Sequence, residues 1–138
     1  MALVVPNEGE IELLKKCLIN TTDTEDFLLR LYKNNYAPDE NTTLTSFTEA
    51  NFTNYAEKTI TRGDWTNPPT MDPMNKAQCQ VSIQSWTCGL TGNTVYGYYI
   101  VGSVSNKILW AEQFNVARVL ADGDILNVTP IFNLSSAN

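Results

Sequence analysis

Carboxylates, thiols and aromatic rings are the side chains of this 138-residue chain that could do chemistry. Carboxylates cluster at Asp23, Glu25 and Asp26, at Asp39 and Glu40, and at Asp122 and Asp124. Two carboxylates facing each other across a cleft would suit glycoside hydrolysis. Nothing in the spacing sets any of these pairs across one. Asp122 and Asp124 flank Gly123 and resemble a short calcium loop, but the ligand count is too low for one. They read as a hairpin turn. Cys88 could serve as a nucleophile, yet the chain has no histidine to activate it. The same absence removes His-based triads, histidine zinc sites and the usual pH switch. Cys17, Cys79 and Cys88 are odd in number and lack C-x-x-C spacing, so they read as free thiols. No glycine-rich loop is shaped for phosphates. The residues predict no enzyme activity, no cofactor and no metal.

The aromatic rings allow more. Trp65, Trp86 and Trp110, with Tyr96, Tyr98 and Tyr99, could line a sugar-binding face, pack a sheet, or anchor a subunit contact. On one strand, Val81 and Ile83 are expected to face the core. Trp86 has the opposite parity, which points it outward or into a second contact. Tyr96 and Tyr98 share parity with Ile100. Trp65, Trp86, Tyr96 and Tyr98 are therefore candidates for an interface.

These side chains must be positioned by a single domain. With 43% hydrophobic residues the chain can bury one core. Nine basic against 15 acidic residues give a net charge of -6, the wrong sign for a duplex nucleic-acid binder. No apolar run approaches a membrane span, and the short apolar stretch Ala2–Val5 predicts no secretory signal. The Asn-x-Ser/Thr triplets at Asn20, Asn41, Asn51, Asn127 and Asn133 read as chance matches in an Asn- and Thr-rich chain.

One good helix is expected, from Asn7 to Ile19. Asn7 is its expected cap, with Glu10 reaching back, Glu8 and Glu10 at the positive end, and Lys15 and Lys16 toward the other. Ile11, Leu14 and Leu18 form an apolar stripe, widened by Leu13 and Cys17. The polar segment 20–24 stops it. Strands are expected at Asp26–Lys33, Tyr55–Arg62 (Ala56 and Ile60 on one face), Cys79–Thr87, Thr94–Val101, Lys107–Phe114 and Ile125–Leu134. In the last, Leu126, Val128 and Phe132 share a face and Pro130 implies an edge or a bulge. Leu44–Asn51 is ambiguous, and prolines make 65–76 a surface loop. The pattern predicts a mainly β chain: an antiparallel β-sandwich, jelly-roll or immunoglobulin-like, or a small barrel, with a short N-terminal α-helix. The expected division is an arm and amphipathic helix over 1–22 and one sandwich domain over 23–138.

Four segments carry a resemblance. They are Met1-Ala2-Leu3-Val4-Val5-Pro6-Asn7-Glu8-Gly9-Glu10 with the Leu13-Leu14 helix; Leu29-Arg30-Leu31-Tyr32-Lys33-Asn34-Asn35 with Pro38; Phe47-Thr48-Glu49-Ala50 through Ala56, with Arg62 and Trp65; and Val95-Tyr96-Gly97-Tyr98-Tyr99, then Leu109 to Phe114 and Val128-Thr129-Pro130. Together they resemble small virion structural proteins of tailed bacteriophages, including phages of cyanobacteria. The resemblance implies a structural role without catalysis. It points to a capsid cement or decoration protein, with the tail, neck or baseplate as the alternative and a host-surface glycan-binding module behind that.

The implied partner is the major capsid protein, with self-association as a trimer favoured, no direct nucleic acid and no membrane. The implied place is the exterior of the capsid, after synthesis in the host cytoplasm. The apolar arm Leu3, Val4 and Val5, followed by the helix stripe Ile11, Leu14 and Leu18, is the expected contact with the capsid or a sister subunit. A soluble monomer gains little from an apolar terminus.

Overall fold

A computed structural model describes residues 3–19 and 25–135. Ala2, the stop at 20–24, Asp23 and the boundary placed at residue 22 lie outside the described residues. Among the described residues the fold is mainly β, 41% strand and 14% helix, with one N-terminal α-helix, two short 3-10 turns and three small antiparallel sheets. Helix α1 spans Asn7–Leu18. Its cap is Pro6 and not Asn7, and no side chain caps it. Proline arrives with its backbone already set and has no N–H to satisfy. The Asn7 N–H is held instead by the carbonyl of Glu40 at 2.9 Å.

The largest sheet is β1 (Phe27–Tyr32), β2 (Lys58–Ile60), β6 (Thr94–Gly102) and β7 (Ile108–Val119), in the order β2-β1-β6-β7. A second sheet orders β3 (Thr70–Met71), β4 (Ala77–Gln80) and β9 (Ile131–Leu134) as β3-β4-β9, and β5 (Gln84–Thr87) pairs with β8 (Ile125–Val128). Strand β6 is central, so its apolar residues run on without alternation: both of its faces are covered. One face carries Leu29, Leu31, Tyr98, Ile100 and Trp110. They share a core with Val81, Trp86, Leu126, Val128 and Phe132 from the small sheets. The other face carries Tyr32, Tyr99, Val101, Ile108 and Ala111, closed by Phe47, Tyr36 and Leu44 from the long connection after β1. There Phe47 stacks on Tyr99 with ring centres 4.5 Å apart. Each fully buried large apolar side chain contributes about 1.5–3 kcal/mol.

The expected strands are corrected in several places. Residues 55–57 are not strand: Asn54 has a φ of 74° and the Ala56 carbonyl accepts from the Trp86 indole at 2.7 Å. Ala56 is exposed, while Ile60 alone is buried. The expected strand 79–87 is two, β4 and β5, with the break at 81–83. Val81 turns inward, but Ile83 is 62% exposed, because the break resets the alternation. The same reset buries Trp86. The closing strand is likewise two, parted at Thr129-Pro130, where the Pro130 carbonyl accepts from Val81 N–H at 3.0 Å. The loop 65–76 contains β3, which pairs with β4.

A register shift between Val95 and Gly97 separates two tyrosines expected to face the same way. Tyr98 lies in the main core and Tyr96 beside the second cluster. A bulge rotates the strand locally, so parity does not carry across it.

Candidate assembly surface

The arm and α1 are docked on the free edge of β7. Val4 N–H donates to Ala111 carbonyl at 2.8 Å, and Ala111 N–H returns the bond at 2.9 Å. This covers part of an edge that otherwise presents open backbone groups. Leu3 and Val5 pack against the main core. Glu8 then reaches back over the strand. One oxygen accepts from Ile108 N–H at 2.9 Å and the other faces Lys107 Nζ at 3.4 Å. Gly9 is buried, and a Cβ there would collide with the carbonyls of Ile108 and Leu109. Glycine is what lets the helix backbone approach the strand this closely.

The far end of the helix is held by a buried ion pair. Lys16 Nζ donates to Glu25, and the side chains are only 5% and 0% exposed. The second Glu25 oxygen accepts from Val104 N–H at 2.7 Å and Ser105 N–H at 2.8 Å. Burial alone would raise this carboxyl. The hydrogen bonds from Lys16, Ser105 and Val104 outweigh burial and hold it down at about 2.

Because Gly9 and Lys16 face the body, the apolar stripe faces away from it. Residues advance about 100° per step around a helix, which puts Ile11, Leu14 and Leu18 together on the opposite side. They are 55%, 57% and 77% exposed, and Cys17 is exposed beside them. Ordinary surface helices turn such a stripe to the core. Here the inward side carries a glycine, an ion-paired lysine and the half-buried Leu13, which does not widen the stripe as expected, and the outward face is aliphatic. That reversal leaves an exposed aliphatic ridge along α1.

The other expected interface residues are not brought to this ridge. Trp86 and Tyr98 are each 3% exposed and belong to this chain's own core. Lys58 lies over the Trp86 ring, and Tyr98 O–H donates to Glu112 at 3.0 Å. Burial first, then the nearby Glu112 charge, pushes the Tyr98 hydroxyl well up. Trp65 is half-buried, edge-on to Phe27, and lines an apolar cup of about 220 Å³ with Arg62, Cys79, Trp110 and Phe132. Tyr96 is half-buried on the opposite face of the sheet. A sugar-binding face needs Trp86 or Trp65 in solvent; the structure puts Trp86 in the core and leaves Trp65 half-buried.

Sequence reasoning missed the Lys16–Glu25 pair, since nothing in their spacing announces a contact. It also missed a cleft of about 300 Å³ between edge strands β7 and β8, lined by Phe114, Val116, Arg118 and Leu126. Asp124 closes its turn by accepting from Ala121 N–H at 2.8 Å, with Gly123 at a φ of 86°. Among the described residues no group of His, Cys, Asp and Glu is placed to hold a metal ion. No described helix is long and apolar enough to cross a membrane. No family model, curated protein or solved structure matches the chain.

Proposed function

We propose that this chain is a non-enzymatic structural subunit of a virion, of the capsid cement or decoration kind, and that the α1 ridge is where it joins the assembly. The observation that carries the reading is the outward apolar stripe Ile11, Leu14 and Leu18 on a helix anchored through its other side. The four-segment resemblance to phage virion proteins supplies the kind of assembly. A cement subunit acts by many modest contacts repeated over a lattice, so a small ridge is enough. The reading includes a β-sandwich body, with the four-stranded sheet as one layer and the two small sheets as the other. Its support is the core that both layers share.

Cryo-EM of purified particles tests the reading. Density for this chain recurring over the head lattice, with α1 at a subunit contact, is the expected result. Density confined to the tail axis would replace cement by a tail role. Particles without the chain would end the virion reading.

A further inference from the structure

The ridge also carries information about what covers it. Written as a seven-residue repeat abcdefg, Ile11 is a, Leu14 is d and Leu18 is a, with Asn7 at the preceding d. Gly9 and Lys16 then both fall at f, the position farthest from the seam. Both are turned into the body, and Glu8, at e, reaches to β7 beside them. The docking of α1 therefore turns the a and d positions Ile11, Leu14 and Leu18 outward.

The flanks of the seam are charged in a self-complementary way. Glu10 is at g and Lys15 at e. In a parallel, in-register pair of helices, g of one helix meets the e five residues on in the other. Glu10 of one copy would then face Lys15 of a second copy, and the reverse on the other side. Both are exposed, and among the described residues the Lys15 ammonium makes an exposed contact with Glu12 of its own helix at 2.9 Å. An antiparallel pair would instead set like flanks together.

We infer that the α1 ridge is covered by the α1 ridge of a second copy of this chain, parallel and in register, about an axis running along the helices. The inference rests on the reading of the ridge as an assembly surface and names its occupant. The Ile11–Leu14 layer, Ile at a with Leu at d, is the part of the seam that favours two strands, and a two-fold pair is the expected product. The seam is short, so pairing is weak in free solution and is reinforced where an assembly holds copies side by side.

The test is sedimentation equilibrium of the full chain under reducing conditions, from about 10 μM to about 1 mM. The expected result is concentration-dependent dimerisation. Leu14→Glu should abolish it. Leu14 is exposed, and an unchanged melting temperature would show that this variant folds. Glu10→Lys or Lys15→Glu alone should weaken pairing by about tenfold or less, and the double reversal should restore it. Monomer at every concentration, dimers indifferent to Leu14→Glu, or no restoration in the double variant would overturn the inference. A monomer whose incorporation into particles still depends on Leu14 would leave the assembly reading standing and remove only the second copy as occupant.

Discussion

Lys16 and Glu25 form a shielded ion pair that fastens the end of α1 to the β6–β7 turn, with both side chains almost wholly buried. Glu25 also accepts from Val104 and Ser105, so one carboxylate joins three separate stretches of chain. Replacing it removes the one carboxylate that Lys16 and the Val104 and Ser105 N–H groups share. Glu25→Ala should destabilise the fold by about 3–5 kcal/mol, measured by urea unfolding.

The same carboxylate makes stability depend on pH. Its folded value is about 2, below the ordinary 4.5. Its contribution is therefore complete above about pH 4.5 and is lost as pH falls from there towards 2. Unfolding free energies measured across this window should fall in the wild type, and Glu25→Gln should flatten that part of the fall.

Gly9 offers a test in which the sign is the result. In a free helix, Gly→Ala stabilises by about 1 kcal/mol. Here the added methyl meets the Ile108 and Leu109 carbonyls. Gly9→Ala should instead destabilise by about 1–3 kcal/mol and increase hydrogen exchange along α1. A stabilised variant would show that the helix does not sit on β7.

Trp86 and Ile83 should respond in opposite ways. Trp86→Ala removes a core ring and its bond to Ala56, at a cost of about 3–5 kcal/mol. Ile83→Ser alters an exposed side chain and should change stability by about 0.5 kcal/mol or less. Thermal melts of the two variants check both statements.

Those two residues also show how far the sequence could be read. The helix stripe, the long β6 run and the Asp122–Asp124 turn were legible because each rests on local periodicity or turn chemistry. Ile83, Trp86 and Tyr96 were not, because parity counts only within an unbroken strand. The break after Gln80 and the register shift beside Tyr96 reset it. Of the candidate surface, the stripe was legible and its direction was not. Direction depends on Gly9 meeting β7 and Lys16 meeting Glu25, which are contacts between distant segments. The arm was legible as apolar, but its pairing with Ala111 depends on β7 lying at the edge of its sheet.

The central claim is that the α1 ridge attaches this chain to a larger assembly. Removing the arm and helix outright would also strip Leu3, Val5 and the Glu25 latch from the fold, so a point variant is the cleaner probe. The direct measurement is the amount of wild-type and Leu14→Glu chain in purified virions, quantified by mass spectrometry against the major capsid protein. The account predicts that the variant melts at the wild-type temperature and enters particles at about one-tenth of the wild-type level or less. Equal incorporation of the two chains would contradict it.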